Sequence, residues 1–162
     1  MRHASPLPLF PLQSVLFPGA LLSLRVFEAR YLDLVGECLR RQQAFGVICL
    51  RQGAEAGPSR LAVQLEDVGV LAQLDDVDAE QPGILRVRCT GGQRFQLQGT
   101  PVQRDNGLWQ CGVELIAPDP PRLPGPAMLS TVTALADAIR KLQETDRLPF
   151  APPFRLNHTR WV

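Results

Sequence analysis

The sequence predicts a mainly β, α+β protein: a partly open barrel of short strands with one helix inserted early, followed by a C-terminal helical segment. Three observations carry this. Short runs of alternating apolar residues are separated by turn residues. One stripe of helical period appears near residue 30, and a proline-rich break near residue 118 precedes a second stripe. With 162 residues the chain has room for one compact domain, or one domain with a small appendage. Leu, Ile, Val and Phe make up about 30% of it, above the roughly 20% that marks disordered chains. A net charge of +1 argues against duplex nucleic acid or an acidic membrane as a broad electrostatic partner.

The elements follow in order. Leu7 to Leu12 alternates with Pro8 and Pro11, which predicts an edge strand or extended segment. Val15-Leu16-Phe17 meets Pro18-Gly19, a turn in which Pro fixes φ and Gly permits a positive one. Leu22, Leu24 and Val26 alternate with Ser23 and Arg25, as in a half-buried strand. The period then changes: Tyr31, Leu34, Val35, Cys38 and Leu39 line one face of a helix beginning at Glu28. Phe45 to Leu50 reads as a buried strand, and Arg51 to Arg60 as a mobile loop. Strands are predicted at 61–63, 68–74 and 84–89, with the acidic run Asp75 to Glu80 as a solvated connection. Thr90-Gly91-Gly92-Gln93 predicts a hairpin before a strand at 94–98, and a last strand sets Trp109, Cys111, Val113 and Leu115 on one face. The barrel is thus expected over residues 1–117, a semi-rigid proline linker over 118–126, and a helical appendage over 127–162. In the appendage, Leu129, Val132, Leu135, Ala136, Ile139 and Leu142 stripe a helix from about 127 to 145, and Asn157 is placed to cap a further one. That pattern stops at Val162, so the natural chain is expected to continue and the appendage to be truncated at its end.

The chemistry-bearing residues are sparse. Cys38, Cys49, Cys89 and Cys111 form no C-x-x-C pair, and His3 and His158 stand at opposite ends, so no metal site is expected. The cysteines are read as free thiols in a reducing compartment. Neither a signal peptide nor an apolar run long enough to span a membrane is present, which predicts a soluble, cytoplasmic protein. Lys141 is the only lysine, so a phosphate-cradling GxxxxGK[ST] loop cannot form. Ser130 shares a helix face with Lys141, but eleven residues at 1.5 Å rise separate them by about 16 Å, beyond hydrogen-bond reach. No active site and no cofactor are expected.

One ordered series of motifs does stand out. Leu7-Pro-Leu-Phe-Pro-Leu12, Val15-Leu-Phe-Pro-Gly19 and Leu24-Arg-Val-Phe-Glu-Ala-Arg-Tyr31 are followed by Phe45-Gly46-Val47, Val68-Gly69-Val70-Leu71-Ala72 and Gly91-Gly-Gln-Arg94-Phe95. Together they resemble the N-terminal substrate-recognition domain of Lon proteases, with residues 7–116 covered well and the later helices loosely. Ala29 stands where that family usually has Pro. The resemblance implies a pseudo-barrel related to PUA-type RNA-binding domains. It implies a non-catalytic role, binding exposed segments of unfolded or partner polypeptides. The ATPase and Ser–Lys protease modules of full-length Lon have no counterpart in these residues, so peptidase activity is not implied. An extended peptide adding as a strand at the proline-rich edges would suit this role.

Eight residues of the series are candidates for binding: Phe10, Phe17, Phe27, Glu28, Arg30, Tyr31, Arg94 and Phe95. For the charged three the structural reading, an internal ion pair or helix-end contact, is preferred over recognition of a peptide. For Phe10, Phe17, Phe27 and Tyr31 a place in the core is preferred over a client-binding surface. Trp109 is likewise assigned to the core. The alternative function is RNA binding through Arg86, Arg88 and Arg94. Against it, the acidic run lies immediately before them and no aromatic interleaves for base stacking. The oligomeric state is left open.

Overall fold

A computed structural model describes residues 6–53, 63–121 and 123–145. The chain forms two compact units, residues 1–117 and 118–162.

The first unit is built on six strands: β1 (Leu7–Leu12), β2 (Leu21–Val26), β3 (Phe45–Gln52), β4 (Gln64–Gln81), β5 (Ile84–Gln103) and β6 (Trp109–Leu115), with α1 (Ala29–Arg41) between β2 and β3. Their order is β2-β5-β4-β3-β1-β6, and β6 also pairs with β5. Five strands therefore close on themselves into a pseudo-barrel, and β2 hangs on its outside along β5. Inside lie Leu7, Leu9, Ile48, Phe95, Cys111 and Val113, with Trp109 and Leu115 packed against them. Phe95 fills the middle. Glycine at 46 and 69 is what admits its ring: a Cβ on Gly46 would come within 2.8 Å of it, and one on Gly69 would overlap it.

The structure corrects several expectations. β1 is not an edge, because β3 and β6 flank it. It tolerates two prolines because each neighbour covers only part of it: β6 pairs with Leu7–Leu9 and β3 with Leu9–Leu12. Each proline thus lies opposite one partner only, Pro8 opposite Gln110 and Pro11 opposite Ile48, so its missing N–H can face an unpaired side. The acidic run is no connection; it belongs to β4, which continues to Gln81. Opposite-charge partners across the ladder hold it there, since Asp76 lies opposite Arg88 and Asp78 opposite Arg86. Gly91 and Gly92 make no hairpin either, for β5 runs through them. The turn falls instead at Pro82-Gly83, where Gly83 has φ of 78°. Gly91 serves close approach: a side chain there would strike the carbonyl oxygen of Phe17. Of Val15 to Phe17, which lead into the Pro18-Gly19 turn, only Leu16 is buried. Arg51 and Gln52 extend β3 beyond the expected strand end. Residues 54–60 of the expected loop and 61–62 of the expected strand lie outside the described residues.

α1 buries the predicted stripe of Tyr31, Leu34, Val35 and Cys38, whereas Leu39 is 51% exposed. Gln42 ends the helix in the left-handed region at φ of 50°, its N–H returning to the Cys38 carbonyl. In the second unit a 3-10 turn (Pro126–Met128) leads into α2 (Leu129–Glu144), close to the predicted span. An Arg140–Asp137 pair one turn apart lies on it. The predicted cap at Asn157 lies outside the described residues. Among the described residues no helix is long and apolar enough to cross a membrane.

Candidate binding surface

The candidate residues divide between the interior and the surface. Phe10 and Tyr31 are buried and stack with ring centroids 4.0 Å apart, and Phe45 meets Phe10 at 6.1 Å. Through this stack α1 is fixed to β1 and β3. Phe95 is the fully buried centre of the barrel. The core expectation fails for the other two aromatics, since Phe17 is 54% and Phe27 58% exposed. Local geometry explains both. Phe17 enters the Pro18-Gly19 turn outside β5, and Phe27 follows Val26, whose side chain has taken the inward direction at the end of β2.

Glu28 and Arg30 pair with each other at 2.9 Å, where both are largely buried. Arg30 also donates to the carbonyl of Gly107 at 3.3 Å and lies over the Tyr31 ring at 4.7 Å. Its Nε is buried with no hydrogen-bond partner. Further along the helix Glu37 takes an ion pair from Arg104 at 3.2 Å, and Arg104 also bonds Gln110 at 2.6 Å. Arg30, Glu37 and Arg104 therefore clamp α1 to the hairpin between β5 and β6. Arg94 is half-buried, and its carbonyl accepts from the N–H of Ile116 at 2.9 Å.

The other arginines singled out in the sequence are committed to acids. Arg88 pairs with Asp76, while Arg86 and Arg25 both reach Glu80, at 3.4 and 3.2 Å. Alternation could have shown this, because Asp76, Asp78 and Glu80 share the parity of a strand face beside the arginines.

All four cysteines are free, and three are buried. Burial, helped by the negative charge of Glu37, pushes the Cys38 thiol up to about 11. Burial, helped by Asp75, pushes Cys89 up to about 12. Neither is poised as a nucleophile. Among the described residues no group of His, Cys, Asp and Glu is placed to hold a metal ion.

What remains at the surface lies along β2. Among the described residues β2 pairs with β5 alone, so its other edge is open. Phe17 precedes this strand, Phe27 follows it, and Leu21 at its start is 47% exposed. A closed barrel carrying a clamped helix and one open apolar edge defines the class, a mainly β pseudo-barrel domain. The comparisons specify which. Residues 6–157 match the family described as the ATP-dependent protease La (LON) substrate-binding domain. The crystal structure of a Lon N-terminal domain protein from Xanthomonas campestris is similar with a TM-score of 0.70 and 37% identity, over 84% of this chain and 74% of that one. The N-terminal domain of a Mycobacterium avium complex Lon protease gives a TM-score of 0.44 at 14% identity, over 90% and 76% of the two chains. No curated protein matches. The chain belongs to the Lon substrate-binding domain family.

Proposed function

We propose that this chain is a non-catalytic recognition module that binds exposed, extended segments of unfolded or partner polypeptides. One observation supports the reading above all: in a substrate-binding family, the exposed aromatics Phe17 and Phe27 flank an open strand edge. Of the eight candidate residues Phe10, Tyr31 and Phe95 are buried and Glu28 and Arg30 are engaged in the α1 clamp, which leaves Phe17 and Phe27 as the exposed apolar ones. The RNA reading is not favoured, because Arg86 and Arg88 are paired with acids on the neighbouring strand. The test is a pull-down of reduced, unfolded protein by the immobilised chain. Wild type retains the unfolded client and not its native form. A Phe17→Ser/Phe27→Ser variant with an unchanged melting curve retains much less. Equal retention by variant and wild type would show that binding lies elsewhere.

A further inference from the structure

Among the described residues the arm formed by β2, β5 and the far half of β4 has two open edges, and they are built differently. Beyond Ala72 β4 leaves β3 and pairs with β5 alone, so residues 73–81 form one edge. That edge carries Asp75, Asp76, Asp78 and Glu80, the charge pattern that discourages a further strand. The opposite edge is β2, six residues long with Arg25 as its only charge. Nothing in its composition guards it.

The register shows which backbone groups it offers. The N–H of Gly91 donates to the carbonyl of Ala20 at 2.8 Å, and the ladder continues without a shift from Leu21 opposite Thr90 to Val26 opposite Leu85. Ala20, Leu22, Leu24 and Val26 therefore turn their backbone groups toward β5, and Leu21, Ser23 and Arg25 turn theirs outward. The outward residues are all exposed. Three donors and three acceptors are presented in the spacing of a strand, bracketed by Phe17 and Phe27.

We infer that the client segment binds here by strand addition, as an extended peptide with apolar residues at alternate positions pairing along the outer edge of β2. The inference rests on the proposed function and assigns it a place and a mode. A flexible peptide suits the edge better than a second copy of the chain. Six residues at about 3.3 Å each, across a sheet about 10 Å deep, give a contact of roughly 200 Å² per partner. Stable dimers bury about 800 Å² per partner. A peptide can also bend over the flanking phenylalanines, which a rigid strand cannot.

Ser23→Pro tests this directly, because it removes an outward N–H without breaking the ladder to β5. The probe is a fluorescent peptide of about eight residues alternating valine with threonine, followed by anisotropy. Ser23→Pro should weaken its binding about tenfold, the worth of one hydrogen bond and its misfit, and Ser23→Ala should not. An analogue N-methylated at two adjacent central residues lacks a donor on each of its edges and should bind wild type about as weakly as the parent binds Ser23→Pro. If Ser23→Pro melts early, the methylated peptide on wild type decides alone. Strand addition is overturned if the proline variant binds like the alanine variant, or if methylation has no effect. Reduced, carboxymethylated lactalbumin is titrated in parallel. Binding of it that Ser23→Pro leaves intact overturns strand addition and keeps the proposed function. Failure of wild type to bind it overturns both.

Discussion

Gly69→Ala is the substitution that most sharply tests how the barrel is filled. Gly69 lies opposite Phe95 on β5 and Ile48 on β3. A Cβ there would overlap the end of the Phe95 ring, stand 2.9 Å from its Cε2 and lie 2.6 Å from the carbonyl oxygen of Val47. Phe95 is fully buried, so its ring has nowhere to go, and the Val47 oxygen is backbone. Overpacking of this kind costs about 3 kcal/mol, the upper end of the usual range, because one obstacle cannot rotate away. For a unit of this size that lowers Tm by about 12 °C. Thermal and urea unfolding followed by circular dichroism give the value. The cause is isolated by a cycle with Phe95→Leu, which alone costs about 1–2 kcal/mol for the lost packing. The shorter side chain vacates the space an alanine needs, so the double variant should cost at least about 1 kcal/mol less than the sum. Rescue is incomplete because Val47 remains. An unaltered melting point for Gly69→Ala, or additivity within about 0.5 kcal/mol, would refute the reasoning.

Three further outcomes are expected. Burial holds Cys38 and Cys89 at about 11 and about 12, while the unfolded thiols ionise near 9.0. The unfolded state therefore loses protons first, so the urea midpoint should be insensitive to these groups below about pH 9 and fall between about pH 9 and 12. A Cys38→Ala/Cys89→Ala variant should flatten that fall. Arg30→Met removes the ion pair to Glu28, the bond to Gly107 and the contact with Tyr31, and should cost about 1–3 kcal/mol in urea unfolding. Arg30→Lys should recover less than half, since one ammonium cannot reach the same partners. Short RNA at about 100 mM salt should give no mobility shift, because the arm's arginines are held by acids; a salt-sensitive shift would restore the nucleic-acid reading.

Much of the scaffold was legible because its periods are clean. The stripe from Tyr31 to Cys38 gave α1, the apolar run from Phe45 gave β3, and the alternation at Cys111 and Val113 gave β6. Composition misled where it overrode period. Four acids between 75 and 80 look like a loop, although Val77 and Ala79 keep strand parity and Arg86 and Arg88 stand ready across the ladder. The Gly91-Gly92 pair looks like a turn, but neither glycine has a positive φ. What Gly91 supplies is room for a chain from elsewhere, which local sequence cannot show. The prolines of β1 likewise depend on how far each neighbour extends. At the surface the sequence named Phe17 and Phe27 among its candidates but favoured the core for them. Their exposure follows from which side of β5 the Pro18-Gly19 turn takes, and from the parity at which β2 ends.

The central claim is recognition of unfolded polypeptide by this chain on its own. Its most direct measurement is a pair of calorimetric titrations with one client, once reduced and carboxymethylated and once native. The account predicts a saturable isotherm in the micromolar range for the unfolded form, with a negative heat-capacity change from apolar burial, and no heat for the native form. No binding of the unfolded client at high micromolar concentration, or equal binding of both forms, would contradict it.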